Sequence, residues 1–169
     1  MAKYWVANNP NSEITDAQAQ ILKDIGAGNS TSAEIDIACN PSSGVEDVTA
    51  TNVITAAESG KTFFLNSATE FVSTLPAPAA GLNYTFIVKA APSGADYTVV
   101  TNGGADIMIG MVTCATADDL GQADSNADVI TFVGGEAKAG DWVKLVSDGT
   151  SWYFSGACFV AEGITSGTT

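Results

Sequence analysis

The chain has 169 residues, 46% hydrophobic and only 15% charged, with six basic residues that are all lysine, no histidine and a formal net charge of −13. That acidity argues against a nucleic-acid surface, which needs a basic patch to displace counterions, and against binding to anionic lipid. Without histidine the usual general base is missing, no Ser-His-Asp or Cys-His arrangement can be assembled within the chain, and without arginine there is no bidentate phosphate clamp.

The length suits one domain plus an extension, or two small domains, and is large enough to bury a core without disulfides. A charged fraction this far below the usual value of about 25% leaves two readings open: burial inside an assembly, or a surface of Ser, Thr, Asn and Gly. Met1 is followed by Ala2-Lys3-Tyr4-Trp5 and then polar residues, with no apolar h-region, and no stretch approaches the roughly 18 apolar residues of a membrane helix. Synthesis and folding in a cytosol are therefore expected. Cys39, Cys114 and Cys158 are odd in number and match no metal-ligand spacing, so they are expected as reduced, buried thiols.

Residues 1–50 read as an N-terminal arm. Tyr4, Trp5 and Val6 form an apolar cluster too short for a core of its own, within an extended segment over residues 1–13. They either fold back on the parent domain or dock on a partner, as anchor aromatics do. Residues 15–26 carry the one helical pattern. Thr15 and Gln18 form a capping box, Ile14 is placed as a staple, and Ile21, Leu22 and Ile25 share an apolar stripe that ends at Gly26. Gly-, Ser- and Thr-rich sequence follows, then a broken β pattern over 45–54, of the kind that often completes a sheet contributed by something else.

From residue 51 to 163 the pattern is that of a β-rich domain. Strands are expected at about 61–66, 70–75, 83–90, 97–102, 106–113, 128–133, 141–147 and 151–159, separated by Pro- and Gly-containing turns. The expected fold is all-β, a compact antiparallel sandwich or barrel of short strands. The strongest signal is the run DWVKLVSDGTSWYFSG, Asp141–Gly156, a hairpin about Asp148-Gly149. Trp142, Lys144 and Val146 alternate with Val143, Leu145 and Ser147, and Trp142, Trp152 and Phe154 are assigned to the core. Residues 164–169 are polar and small, and are expected to fray.

The best candidate for a ligand site is the acidic loop Asp118–Asp128. Asp124, Asn126 and Asp128 have the alternate oxygen spacing that begins a calcium loop, but the sixth position is Val129 and the twelfth is Gly135, so a solvated loop is the preferred reading. No carboxylate pair stands out as a glycosidase pair. No catalytic residue, cofactor or metal is expected, and the chain is read as a non-enzyme.

Three segments carry a family likeness: ITAAESGKTFFLNSA, TLPAPAAGLNYTFIV and the closing GDWVKLVSDGTSWYFSG. Together they resemble small virion structural proteins of tailed bacteriophages, over about residues 53–156. The resemblance implies a β-rich, usually trimeric module displayed on a virus particle, most like a capsid decoration protein that stabilises the head. The implied partner is the major capsid protein, with no nucleic acid and no membrane, and the implied location is the outer surface of the head after synthesis in the host cytoplasm. Tyr4, Trp5 and Val6, or the Ile21, Leu22 and Ile25 helix face, would then be the capsid contacts. The alternative is a fibre tip that binds a receptor or glycan, where exposed aromatics stack on sugars.

Overall fold

The computed structural model describes residues 4–5, 13–14, 44–115 and 122–169. In chain order its strands are β1 (Tyr4–Trp5), β2 (Glu13–Ile14), β3 (Val45–Val48), β4 (Asn52–Val53), β5 (Thr62–Leu65), β6 (Phe71–Thr74), β7 (Asn83–Val88), β8 (Tyr97–Val100), β9 (Met108–Cys114), β10 (Gln122–Ala127), β11 (Val129–Phe132), β12 (Trp142–Ser147), β13 (Trp152–Cys158) and β14 (Ile164–Gly167). Seven form one sheet in the order β10-β9-β13-β12-β7-β5-β3, and five form a second in the order β14-β11-β8-β6-β4. The two sheets pack together as a β sandwich. β1 and β2 pair antiparallel in a small sheet of their own.

Each of the eight expected strands is present, but both sheets are mixed where an antiparallel arrangement was expected. From β3 to β9 the chain changes sheet at every connection, so β3, β5 and β7 lie parallel in one sheet and β4, β6 and β8 lie parallel in the other. The physical reason is that consecutive strands lie in opposite sheets, so none of them closes a hairpin with the next, even across the short connections 49–51 and 66–70. A parallel neighbour needs a crossover, and here the crossover is a strand of the opposite sheet. Antiparallel pairing returns in β12 with β7 and β13, in β9 with β10, and in β11 with β8 and β14.

Side chains alternating inward from both sheets fill the core. Phe63 stacks on Phe86 at 5.3 Å between ring centroids and meets Tyr84 at 6.2 Å, and Tyr84 meets Trp152 at 5.6 Å. Phe71 and Tyr97 stack at 4.5 Å on the five-stranded side. The Tyr84 hydroxyl donates to the Thr55 carbonyl at 3.0 Å. Burial, with the Glu58 charge adding to it, pushes the Tyr84 hydroxyl up to about 12, so it stays protonated as a donor.

Several expectations change against this fold. The β-rich domain begins before residue 51, because β3 is the outer strand of the seven-stranded sheet of this same chain. Residues 164–169 are no frayed tail. Ile164 is fully buried, β14 pairs with β11, and the buried Asp128 carboxylate accepts the Thr169 N–H at 2.9 Å and the Thr169 hydroxyl at 2.7 Å. Trp142 is on the outward face of β12 and 37% exposed, not in the core, because Val143, Leu145 and Ser147 take the inward positions. The hairpin loop spans Asp148–Ser151, since Ser147 pairs with Trp152, and Gly149 supplies its positive φ of 104°. The helix expected over 15–26, and with it Ile21, Leu22 and Ile25, lies outside the described residues, as does Val6.

Asp141 holds the end of the hairpin. Its carboxylate is fully buried, with Oδ2 accepting the Lys138 N–H at 2.8 Å and Oδ1 accepting the Phe159 N–H at 2.9 Å. Each oxygen has its own donor, so an amide in the same place would accept at one side and present its NH2 group to an N–H at the other. Asp141→Asn should therefore destabilise by about 2–3 kcal/mol, close to the loss in Asp141→Ala, as read from urea midpoints.

Candidate interaction surface

The inward face of the seven-stranded sheet is explained by the core; its outward face is not explained by solvent. The register sets Ile87 beside Trp142, Val146 beside Tyr153, Tyr153 beside Ile109, and Ser155 beside Met111. Met111 is 58% exposed, Tyr153 47%, Val146 40% and Trp142 37%. Phe64 and Ile87 extend the same face toward β3 and are half-buried. A sheet face meant for water reads polar at these positions; here β-branched, thioether and aromatic side chains hold them.

Charge is sparse across this face. Lys144 lies near its middle and has no carboxylate partner among the described residues. At one margin the Asp47 carboxylate pairs with the Lys89 ammonium at 2.5 Å, and that hydrogen bond holds its carboxyl below the usual carboxylate range. Depletion of charge with enrichment in Trp, Tyr and Met is the composition of the buried centre of a protein–protein contact.

One aromatic of the face is fixed in place before any partner arrives. Asp148 Oδ1 accepts the Thr150 and Ser151 N–H groups, each at 2.8 Å, and Oδ2 accepts the Tyr153 hydroxyl at 3.2 Å. These bonds, the Ser151 amide foremost, hold the Asp148 carboxyl below its ordinary value. The same hydroxyl bond raises Tyr153 above its own, so the phenol stays neutral in the physiological range. A ring held this way loses little rotamer freedom on binding.

At the far end of β12 and β13 the face runs into a hollow of about 200 Å³. Trp142, Ala157, Phe159 and Ala115 form its apolar walls, with Gly140, Asp141 and Cys158 behind. Phe159 is 57% exposed at the rim. The volume suits one apolar side chain of a partner, the usual form of an anchor pocket. Asp141 lines the hollow with both carboxylate oxygens already occupied by backbone donors, so its role there is structural.

The residues singled out in the sequence fall elsewhere. Tyr4 and Trp5 form β1, paired to Ile14 and Glu13 respectively. The acidic segment that resembled the start of a calcium loop is in part a strand. Gln122–Ala127 form β10, the Asp124 carboxylate is turned back onto the Asn126 N–H at 3.1 Å, and Asp128 is committed to Thr169. These side chains do not converge, and no cluster of metal-ligating groups occurs among the described residues. The surface that the sequence reading missed, built on Trp142, Val146, Tyr153 and Met111, had one signal: apolar residues on both faces of β12. Comparison with protein-family models, curated proteins and solved structures gave no match.

Proposed function

We propose that this protein is a non-enzymatic particle component that docks on the outer surface of a phage capsid and stabilises the head as a decoration protein. The observation that carries the proposal is the apolar, nearly uncharged outward face of the seven-stranded sheet, with Tyr153 fixed by Asp148 and a side-chain hollow beside Trp142. The likeness of the three sequence segments to virion structural proteins supplies the kind of partner. The major capsid protein would meet this face, and the Tyr4 and Trp5 arm would add a second contact. A homotrimer suits the threefold positions of a shell.

Co-sedimentation with emptied heads of the phage whose genome carries the gene tests this directly. The wild-type protein should pellet with heads and raise their melting temperature. Val146→Glu with Tyr153→Glu should weaken that binding by about 30-fold or more, the effect of losing a contact worth at least about 2 kcal/mol. Both positions face outward, so circular dichroism and the melting of the free protein should stay close to wild type. Binding to a glycan array with no binding to heads would replace the decoration reading by the fibre-tip one, in which Trp142 and Tyr153 stack on sugar rings.

A further inference from the structure

β9 and β13 run parallel, and their last register partners are Cys114 and Cys158. The two Sγ atoms lie 2.8 Å apart, and both thiols are free. The ladder continues past them, with the Ala115 N–H donating to the Cys158 carbonyl at 2.9 Å, so the register is held on both sides of the pair. Neighbouring strands lie about 4.7–4.9 Å apart, inside the Cα separation of about 4.4–6.8 Å that a disulfide spans. Bonding the sulfurs at about 2.05 Å takes a side-chain adjustment of under about 1 Å and no change of backbone path. Two reduced thiols acting only as small hydrophobes would have no need to face each other on adjacent strands.

We propose that Cys114 and Cys158 are a redox-modifiable pair that closes into a disulfide between β9 and β13 when the protein meets a low-molecular-weight disulfide. Cys114 is half-buried and Cys158 is buried, so Cys114 is the thiol that meets the reagent. Its thiolate attacks one sulfur of the reagent RSSR. The S–S bond breaks, one RS⁻ leaves and takes up the proton that Cys114 gave up, and a mixed disulfide remains on Cys114. The Cys158 sulfur then attacks the Cys114 sulfur, the S–S bond between Cys114 and the SR group breaks, and the second RS⁻ leaves and takes up the Cys158 proton. Two protein thiols are oxidised to one disulfide, and one reagent disulfide is reduced to two thiols. Burial, reinforced by Cys114 beside it, pushes the Cys158 thiol of the dithiol form up to about 12, so closure of the bridge quickens as pH rises.

The closed bond would enclose β10, β11, β12 and β13 in one loop and tie β9, with β10 at the sheet edge, to the central hairpin. Such a staple is absent in a reducing cytosol and forms after release into oxidising surroundings. It stands apart from the capsid-docking reading, because it is formed on the soluble protein with no partner present.

The test uses the full chain at mildly alkaline pH with oxidised glutathione. Of the three cysteines, one should remain titratable after denaturation, the intact mass should fall by two hydrogens, and peptide mapping should join Cys114 to Cys158. The melting temperature should rise by on the order of 5–10 °C and fall back on reduction. Cys39→Ser should form the same bridge and keep no titratable thiol. Cys158→Ala should instead gain one glutathione on Cys114, with no bridge. Three thiols still titratable, a bridge that maps to Cys39, or a lasting glutathione adduct on wild-type Cys114 would each overturn the proposal.

Discussion

Gly110→Ala should cost about 3 kcal/mol or more and shift the urea midpoint. Gly110 lies in β9 opposite Phe154 of the parallel strand β13. A Cβ built there would sit 1.9 Å from the Phe154 carbonyl oxygen, 2.7 Å from its carbonyl carbon and 2.8 Å from Cγ of its ring. The nearest obstacle is backbone, so a rotamer change cannot relieve it. The strands would have to part, and the β9–β13 ladder that joins β10 to the hairpin would open. Phe154→Leu, which removes ring atoms but leaves the carbonyl, should therefore fail to rescue Gly110→Ala. Rescue would mean that the ring, not the backbone, sets the requirement for glycine. A glycine inside a strand is the ordinary sign of such an approach, although nothing in the sequence says which strand approaches.

Sequence signals are local, and strand pairing is not. The hairpin at Asp141–Gly156 was legible because period-2 alternation and a turn dipeptide are local signals. The short β-favouring runs Thr62–Leu65 and Asn83–Val88 identify strands but are silent on pairing, so the sheet-changing path from β3 to β9 and the resulting parallel neighbours were not legible. β10 was missed because QADSNA has no apolar face to bury; it is an edge strand, with its register shifting between Asp124 and Ala127. β14 was missed because one residue, Ile164, supplies its buried apolar contact, while a buried carboxylate elsewhere in the chain, Asp128, supplies the rest. The candidate surface was half legible. Trp142, Lys144 and Val146 were placed on one face and Val143, Leu145 and Ser147 on the other. Hydrophobicity alone favours the core for Trp142, but the pleat places it with Lys144 and Val146 on the outward face. The thiol pair was not legible at all, because Cys114 and Cys158 meet only through the parallel register of β9 and β13.

Trp152 gives the sharpest test of the packing itself. It is fully buried, follows the hairpin loop, and packs against Tyr84 with its backbone N–H on the Ile107 carbonyl at 2.9 Å. Its indole Nε1, however, is buried with no hydrogen-bond partner. The two features pull in opposite directions. Trp152→Ala removes the ring from between the sheets and should cost about 3–5 kcal/mol, the usual range for emptying a large aromatic site. Trp152→Phe removes fewer atoms and also removes the orphaned donor, whose desolvation costs about 1–3 kcal/mol in the native protein. The smaller cavity and the relieved donor offset each other, so Trp152→Phe should stay within about 1 kcal/mol of wild type. Urea unfolding of the two variants, followed by circular dichroism, separates the contributions. Comparable losses in both variants would mean that Nε1 gains a hydrogen bond in solution and that the indole, not merely a large ring, is what the core requires.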